Sequence, residues 1–184
     1  IVNSKCFNLY HFMKVFDCTT FYNENMMLEL RFNILNPFVD KFVITESKYS
    51  HSGEKKKLNF DINKFKKFED KIIYLVVEEQ PKNISILSKD DTKFKRGEKL
   101  ILNGMARDYF QRENLKKGVV DSLNEDLIII SDLDEIPNLE TIDFNLIKNN
   151  IVIFEQKMFY YKLNLLYEEF KWFGSKAIKK KNFI

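Results

Sequence analysis

Histidine, cysteine, proline, glycine, tryptophan and alanine are all scarce in this chain of 184 residues. The two cysteines, Cys6 and Cys18, are too few for a disulfide framework or a cysteine-based zinc site. They read as buried or idle thiols, with one bridge between them as the alternative. Two histidines, His11 and His51, exclude a histidine-rich metal centre. No stretch approaches the roughly 20 apolar residues of a membrane helix. No charged-then-apolar leader opens the chain, which begins at Ile1, so no compartment is read from it. Charge of one sign is also lacking. Thirty Lys and Arg against 27 Asp and Glu leave +3, which does not argue for a nucleic-acid partner. The lysine runs at 55–57, 66–67, 116–117 and 179–181 come without aromatic-basic alternation and read as solvated faces. Alanine occurs twice, at Ala106 and Ala177, beside abundant Lys, Asn, Ile and Phe, a skew typical of an AT-rich genome. With no internal repeat and no low-complexity linker, the chain reads as one domain over 1–184.

What is present centres on Ile128-Ile129-Ile130-Ser131-Asp132-Leu133-Asp134-Glu135-Ile136-Pro137. The β-branched run predicts a strand buried on both faces, as in a mostly parallel sheet. Its acids then fall in the crevice beyond the strand ends, where open α/β sheets hold ligands. A period of two puts Asp132 and Asp134 on one side, with Leu133 turned to the core. Two hard oxygen ligands so placed suit Mg²⁺ or Mn²⁺ held against a substrate's phosphates.

The rest of the chain supplies the sheet. Met13–Phe16 reads as a first strand left by a loop at Asp17–Thr20. A helix follows, capped by Asn23 or Asn25, with Glu24 in its first turn and Leu28, Phe32 and Leu35 on its apolar face. Asn36-Pro37 ends it, and 41–45 is a second strand closing on Glu46, which completes a βαβ unit. A polar loop at 50–54, a short helix over 61–70 and a third strand at 72–77 come next. Residues 81–95 form a polar loop, the best candidate for a mobile one. The longest helix is predicted over 97–117, stopped by Gly118, with Arg107, Gln111 and Asn114 on one polar stripe and Arg112 beside it. After Pro137 the pattern predicts a helix through Leu146, a strand at 151–154, and extended aromatic chain from Met158. Trp172, the sole tryptophan, sits among polar residues that place it at a rim.

This combination suits a nucleotide-sugar transferase. A nucleoside diphosphate leaving group develops negative charge that a divalent cation neutralises. Single displacement needs a carboxylate base for the acceptor hydroxyl, and an aromatic wall suits a sugar face.

Five blocks carry a resemblance. They are 17–24 with Leu28-Glu29-Leu30-Arg31; 39–46 with the loop 52–55; 107–115; 131–137; and 159–164 with 172–177. In this order, across nearly the whole chain, they resemble glycosyltransferase family 17. The resemblance implies a GT-A-like, Rossmann-like fold and inverting, metal-dependent transfer. The family's eukaryotic member moves N-acetylglucosamine from UDP-N-acetylglucosamine to the core mannose of N-glycans, so a UDP-sugar donor and a glycan acceptor are implied. By the same carry-over Asp134 ligates Mn²⁺ or Mg²⁺, and Asp132 contacts the ribose or a metal-bound water. Glu24, Arg31 and Glu46 fall at the nucleotide end, Arg107, Gln111 and Arg112 face the diphosphate or donor sugar, and Asp17 is a further substrate-binding residue. Glu168 or Glu169 is the candidate base, with Trp172 as sugar platform and Lys176 beside it. Family members continue past the Trp-x-Gly-x-Lys block at 172–176, so a further carboxyl-terminal segment is expected. A non-catalytic nucleotide-sugar or carbohydrate-binding remnant of the same fold is the competing reading.

Overall fold

A computed structural model describes residues 13–147, 151–162 and 164–183. Six strands form the main sheet in the order β3-β2-β1-β4-β8-β5. Strands β1 (Val15–Phe21), β2 (Lys41–Ser47), β3 (Ile72–Val77) and β4 (Leu127–Ser131) run parallel. Strand β8 (Lys176–Lys179) lies antiparallel to β4, and β5 (Val152–Ile153) antiparallel to β8. The predicted α/β class and mostly parallel sheet are what the chain forms, in a Rossmann-like arrangement.

Alternation along the strands divides the core into two layers. Phe42 and Ile44 of β2, with Leu127 and Ile129 of β4, face helix α1 (Asn25–Leu35) and the 3₁₀ segment Ile62–Lys71. There Phe32 packs against Phe42, Phe65 and Phe68 with ring centres 4.5, 5.4 and 5.2 Å away. Phe16, Cys18, Val43 and Ile128 face the opposite layer, Leu115 and Val119 of the 3₁₀ segment Asn114–Val119. Burial pushes the Cys18 thiol pKa well up, and the neighbouring Asp17 carboxylate adds to that.

Several local expectations are corrected. The segment 17–20 is not a loop but the middle of β1, because its backbone pairs with β2 on one side and, as far as Thr19, with β4 on the other. Neither Asn23 nor Asn25 caps α1. Its N-cap is Glu24, whose carboxylate instead accepts from the Tyr22 and Asn23 amides at 3.1 and 2.9 Å. Helix α2 spans Lys93–Glu113, starting four residues early because Thr92 caps it through the Lys95 amide. Gly118 is not a helix stop. It lies within the following 3₁₀ turn, where a β-carbon would collide with Val43 and press on Leu75. The segment after Pro137 forms turns with one short 3₁₀ piece at Phe144–Leu146, not a helix. The loop before α2 is fastened to it: Asn103 exchanges two 2.8 Å hydrogen bonds with the Ser85 backbone, and Lys99 pairs with Asp91.

Strands β6 (Gln156–Phe159) and β7 (Leu166–Trp172) form a separate two-stranded sheet. Its pairing jumps from Lys157–Lys171 to Phe159–Leu166. Met158 alone lies between these pairs on β6, whereas Tyr167, Glu168, Glu169 and Phe170 lie between them on β7, a pronounced bulge. Cys6 and His11 fall outside the described residues. Among the described residues, no helix is long and apolar enough to cross a membrane.

Candidate functional site

The strand order reverses between β1 and β4: β2 and β3 follow on one side of β1, and β4 joins on the other. Such a switch point opens a crevice at the carboxyl ends of the two strands. A cleft of about 730 Å³ lies there. It is lined by Thr20–Tyr22 and Glu24 after β1, Tyr49–Ser52 after β2, Asp108, Gln111 and Arg112 of α2, and Asp132–Asp134 after β4. The fold therefore gathers Glu24, Gln111, Arg112, Asp132 and Asp134 from separate blocks of sequence into one cavity.

The acids differ in what they are free to do. Asp132 is half-buried, and its Oδ1 meets the Arg112 guanidinium as an ion pair outside hydrogen-bonding geometry. Arg112 also donates from Nε to Asp108 at 3.0 Å. Burial works against the Arg112 charge, and the two carboxylates more than offset it, leaving its pKa raised. Asp134 is exposed to the cleft, and its carboxylate makes no hydrogen bond or ion pair with the described residues. Glu24 is turned to the Tyr22 and Asn23 amides. Gln111 is buried and ties α2 to the sheet: Nε2 donates to the Thr45 carbonyl at 2.7 Å, and the Thr45 hydroxyl donates back to the Gln111 carbonyl at 3.2 Å.

Three expected substrate contacts lie beneath the cleft instead of on its wall. Arg31 is 0% exposed and Asp17 1%. The Arg31 Nε and Nη2 donate to the two Asp17 oxygens at 2.8 and 2.7 Å. Its Nη1 donates to the carbonyls of Asp132, Leu133 and Glu135 at 3.0, 3.2 and 3.1 Å. One buried guanidinium thus gathers three carbonyls of the loop that displays Asp132 and Asp134. Geometry explains the choice of residue, since arginine's planar fork serves a carboxylate and several carbonyls together. Glu46, fully buried, accepts from the Asn59 and Phe60 amides at 2.8 and 3.0 Å, from the Tyr74 hydroxyl at 2.8 Å, and from Lys56. Burial and then the bond to Glu46 push the Tyr74 pKa upward. This network shapes the 56–60 loop.

The remaining expected residues lie outside the cleft lining. Arg107 braces the 50–53 loop, donating to Gln80 Oε1 at 2.7 Å and to the His51 carbonyl at 2.8 Å. Its guanidinium fills the space beside Gly53, whose φ of +91° favours glycine. Lys176 lies in a neighbouring cavity of about 290 Å³ with Arg112, Asp132 and Glu135, and its ammonium donates to the Gly174 carbonyl at 3.2 Å. Trp172 donates from Nε1 to Glu135. Glu168 and Glu169 sit exposed on the bulged stretch of β7 and do not line the cleft. Residues not singled out from the sequence also line it: Tyr22, Tyr49, Ser50, His51 and Asp108. Asp108 was findable from its i, i+4 spacing to Arg112, and Tyr49–His51 from their place after a strand beside the switch point.

Among the described residues, no three His, Cys, Asp or Glu converge as a cage for a metal. A cation here would take one or two carboxylates, Asp134 first, and complete its shell from phosphate oxygens and water, the habit of Mg²⁺ in phosphate-binding sites. The free Asp134 carboxylate fits that role.

The class that fold and site define is a Rossmann-like α/β protein with an acid-bearing crevice at its switch point. The family model for glycosyltransferase family 17 matches residues 6–182, and the chain belongs to that family. Its activity is therefore glycosyl transfer, with a nucleotide-sugar donor and a glycan acceptor. No curated protein and no solved structure matched this chain.

Proposed function

We propose that the cleft binds a UDP-sugar together with Mn²⁺ or Mg²⁺, and that the chain transfers the sugar, N-acetylglucosamine, with inversion to a glycan hydroxyl. The observation that carries this reading is the unpartnered Asp134 carboxylate at the switch-point cleft, in a chain of a glycosyltransferase family. Asp134 would hold the cation, with Asp132 beside it; the cation would neutralise charge on the diphosphate as the glycosidic bond breaks. Arg112, poised between Asp108 and Asp132, supplies a fixed positive charge toward the same phosphates. Arg31 keeps the acid loop in shape from below. Glu168 or Glu169 is the proposed base for the acceptor hydroxyl, and Trp172 the sugar platform.

Calorimetric titration of UDP and UDP-N-acetylglucosamine, with Mn²⁺ and with chelator, tests the donor half. Binding should need the cation and should fall at least tenfold in Asp134→Ala. Binding indifferent to both would sink the metal-dependent reading. The position of Glu168 and Glu169 outside the cleft lining favours a second reading, a binding module without turnover. Its mark is cation-dependent UDP binding with neither sugar transfer nor donor hydrolysis.

A further inference from the structure

Where the acid loop meets the aromatic hairpin, one carboxylate serves both. Glu135 Oε2 accepts from the Asp132 amide at 3.0 Å, and Oε1 accepts from the Trp172 indole Nε1 at 2.5 Å. The Glu135 carbonyl accepts from the Ser175 hydroxyl at 2.8 Å as well as from Arg31. Gly174 completes the joint, because any β-carbon there would overlap the Glu135 carboxylate. Trp172 is 39% exposed, so burial alone does not hold it. With both oxygens accepting, Glu135 is engaged as a holder. Charged acceptors give the stronger hydrogen bonds, and this one is shared between a backbone amide of the donor loop and a side chain of the hairpin.

We propose that Glu135 is a positioning residue that ties the Trp172 indole to the Asp132 peptide, so that occupancy of the cleft is felt at the indole. The second clause rests on the donor-binding reading; the tie itself does not. The chain has one tryptophan, so ¹⁵N labelling of tryptophan gives a single indole N–H resonance for Trp172. In the wild type that N–H should be protected from solvent exchange. In Glu135→Ala and in Gly174→Ala the resonance should move and its exchange accelerate on the order of tenfold. Adding UDP with Mg²⁺ should shift the wild-type resonance and leave that of Glu135→Ala in place. If Glu135→Ala fails to fold, Glu135→Gln takes its role. A carboxamide offers one oxygen to two N–H donors, so one link breaks and the UDP-induced shift is lost. The proposal is overturned by a wild-type N–H that exchanges as fast as in the variants, or by a UDP-induced shift that survives in them. Calorimetry with UDP separates the two failures: no binding heat defeats the donor reading, while exchange protection decides the tie.

Discussion

Strands β1 and β7 are each seven residues long, and their surroundings are opposite. In β1 every residue but Thr20 is buried, and the polar ones are answered in place, Asp17 by Arg31 above all. In β7 every residue is exposed, and Tyr167, Phe170 and Trp172 follow one another in a row with ring centres 6.1 and 6.2 Å apart, Tyr160 meeting Tyr167 at 6.0 Å. The first strand spends its polar residues on building a loop for others. The second presents large apolar side chains outward, where they bury little and add little to stability. Stability is thus concentrated in the parallel half.

The largest expected effect breaks the parallel half. Arg31→Met leaves the Asp17 carboxylate buried without its partner and three loop carbonyls without a donor, which should cost about 3–5 kcal/mol in denaturant unfolding. Arg31→Lys should recover only part, because an ammonium lacks the fork. Next, Phe32→Ala should cost about 3–5 kcal/mol from cavity formation among Phe42, Phe65 and Phe68, whereas Tyr161→Ala, at a residue 94% exposed, should stay within about 0.5 kcal/mol. Equal losses at the two sites would erase the contrast. Smaller again is Gly118→Ala, which should cost about 1–3 kcal/mol through overpacking against Val43. The smallest effect concerns the antiparallel edge. Lys179 and then Lys181 hold the Glu125 carboxyl down at about 2. A depressed carboxyl pKa contributes stability above its unfolded value and loses it as pH falls through the folded one. Glu125→Gln should therefore lower the melting temperature slightly at pH 7, with the difference shrinking from about pH 4 downward and vanishing only below the folded value of about 2.

Much of this is legible in the sequence. Apolar β-branched runs announced β2, β3 and β4, and the acids after Ile130 announced the cleft. What escaped was pairing at a distance. Asp17 and Arg31 are 14 residues apart and Arg31 reaches the acid loop 101 residues away, so a buried clamp and a ligand contact look alike in one dimension. Glu46 was misplaced for the same reason, since its partners lie in a loop and on β3. Gly118 followed a helical pattern and invited a C-cap, yet contact with Val43 decides that position. The turns after Pro137 replaced a helix because Leu139, Ile142 and Ile147 dip into the core one at a time instead of along a single stripe.

Cys18 gives the parallel half an internal clock. Its neighbours across the sheet are Val43 and Ile130, so the thiol lies in the centre of the parallel half. Only the thiolate reacts with alkylating reagents, and both burial and the raised pKa withhold it. Modification at Cys18, followed by peptide mass spectrometry, therefore proceeds only through openings in which β1 separates from its neighbours, at a rate that falls as those openings become rarer. Slowing of that rate by a nucleotide would measure how strongly ligand at the strand ends locks the sheet beneath them.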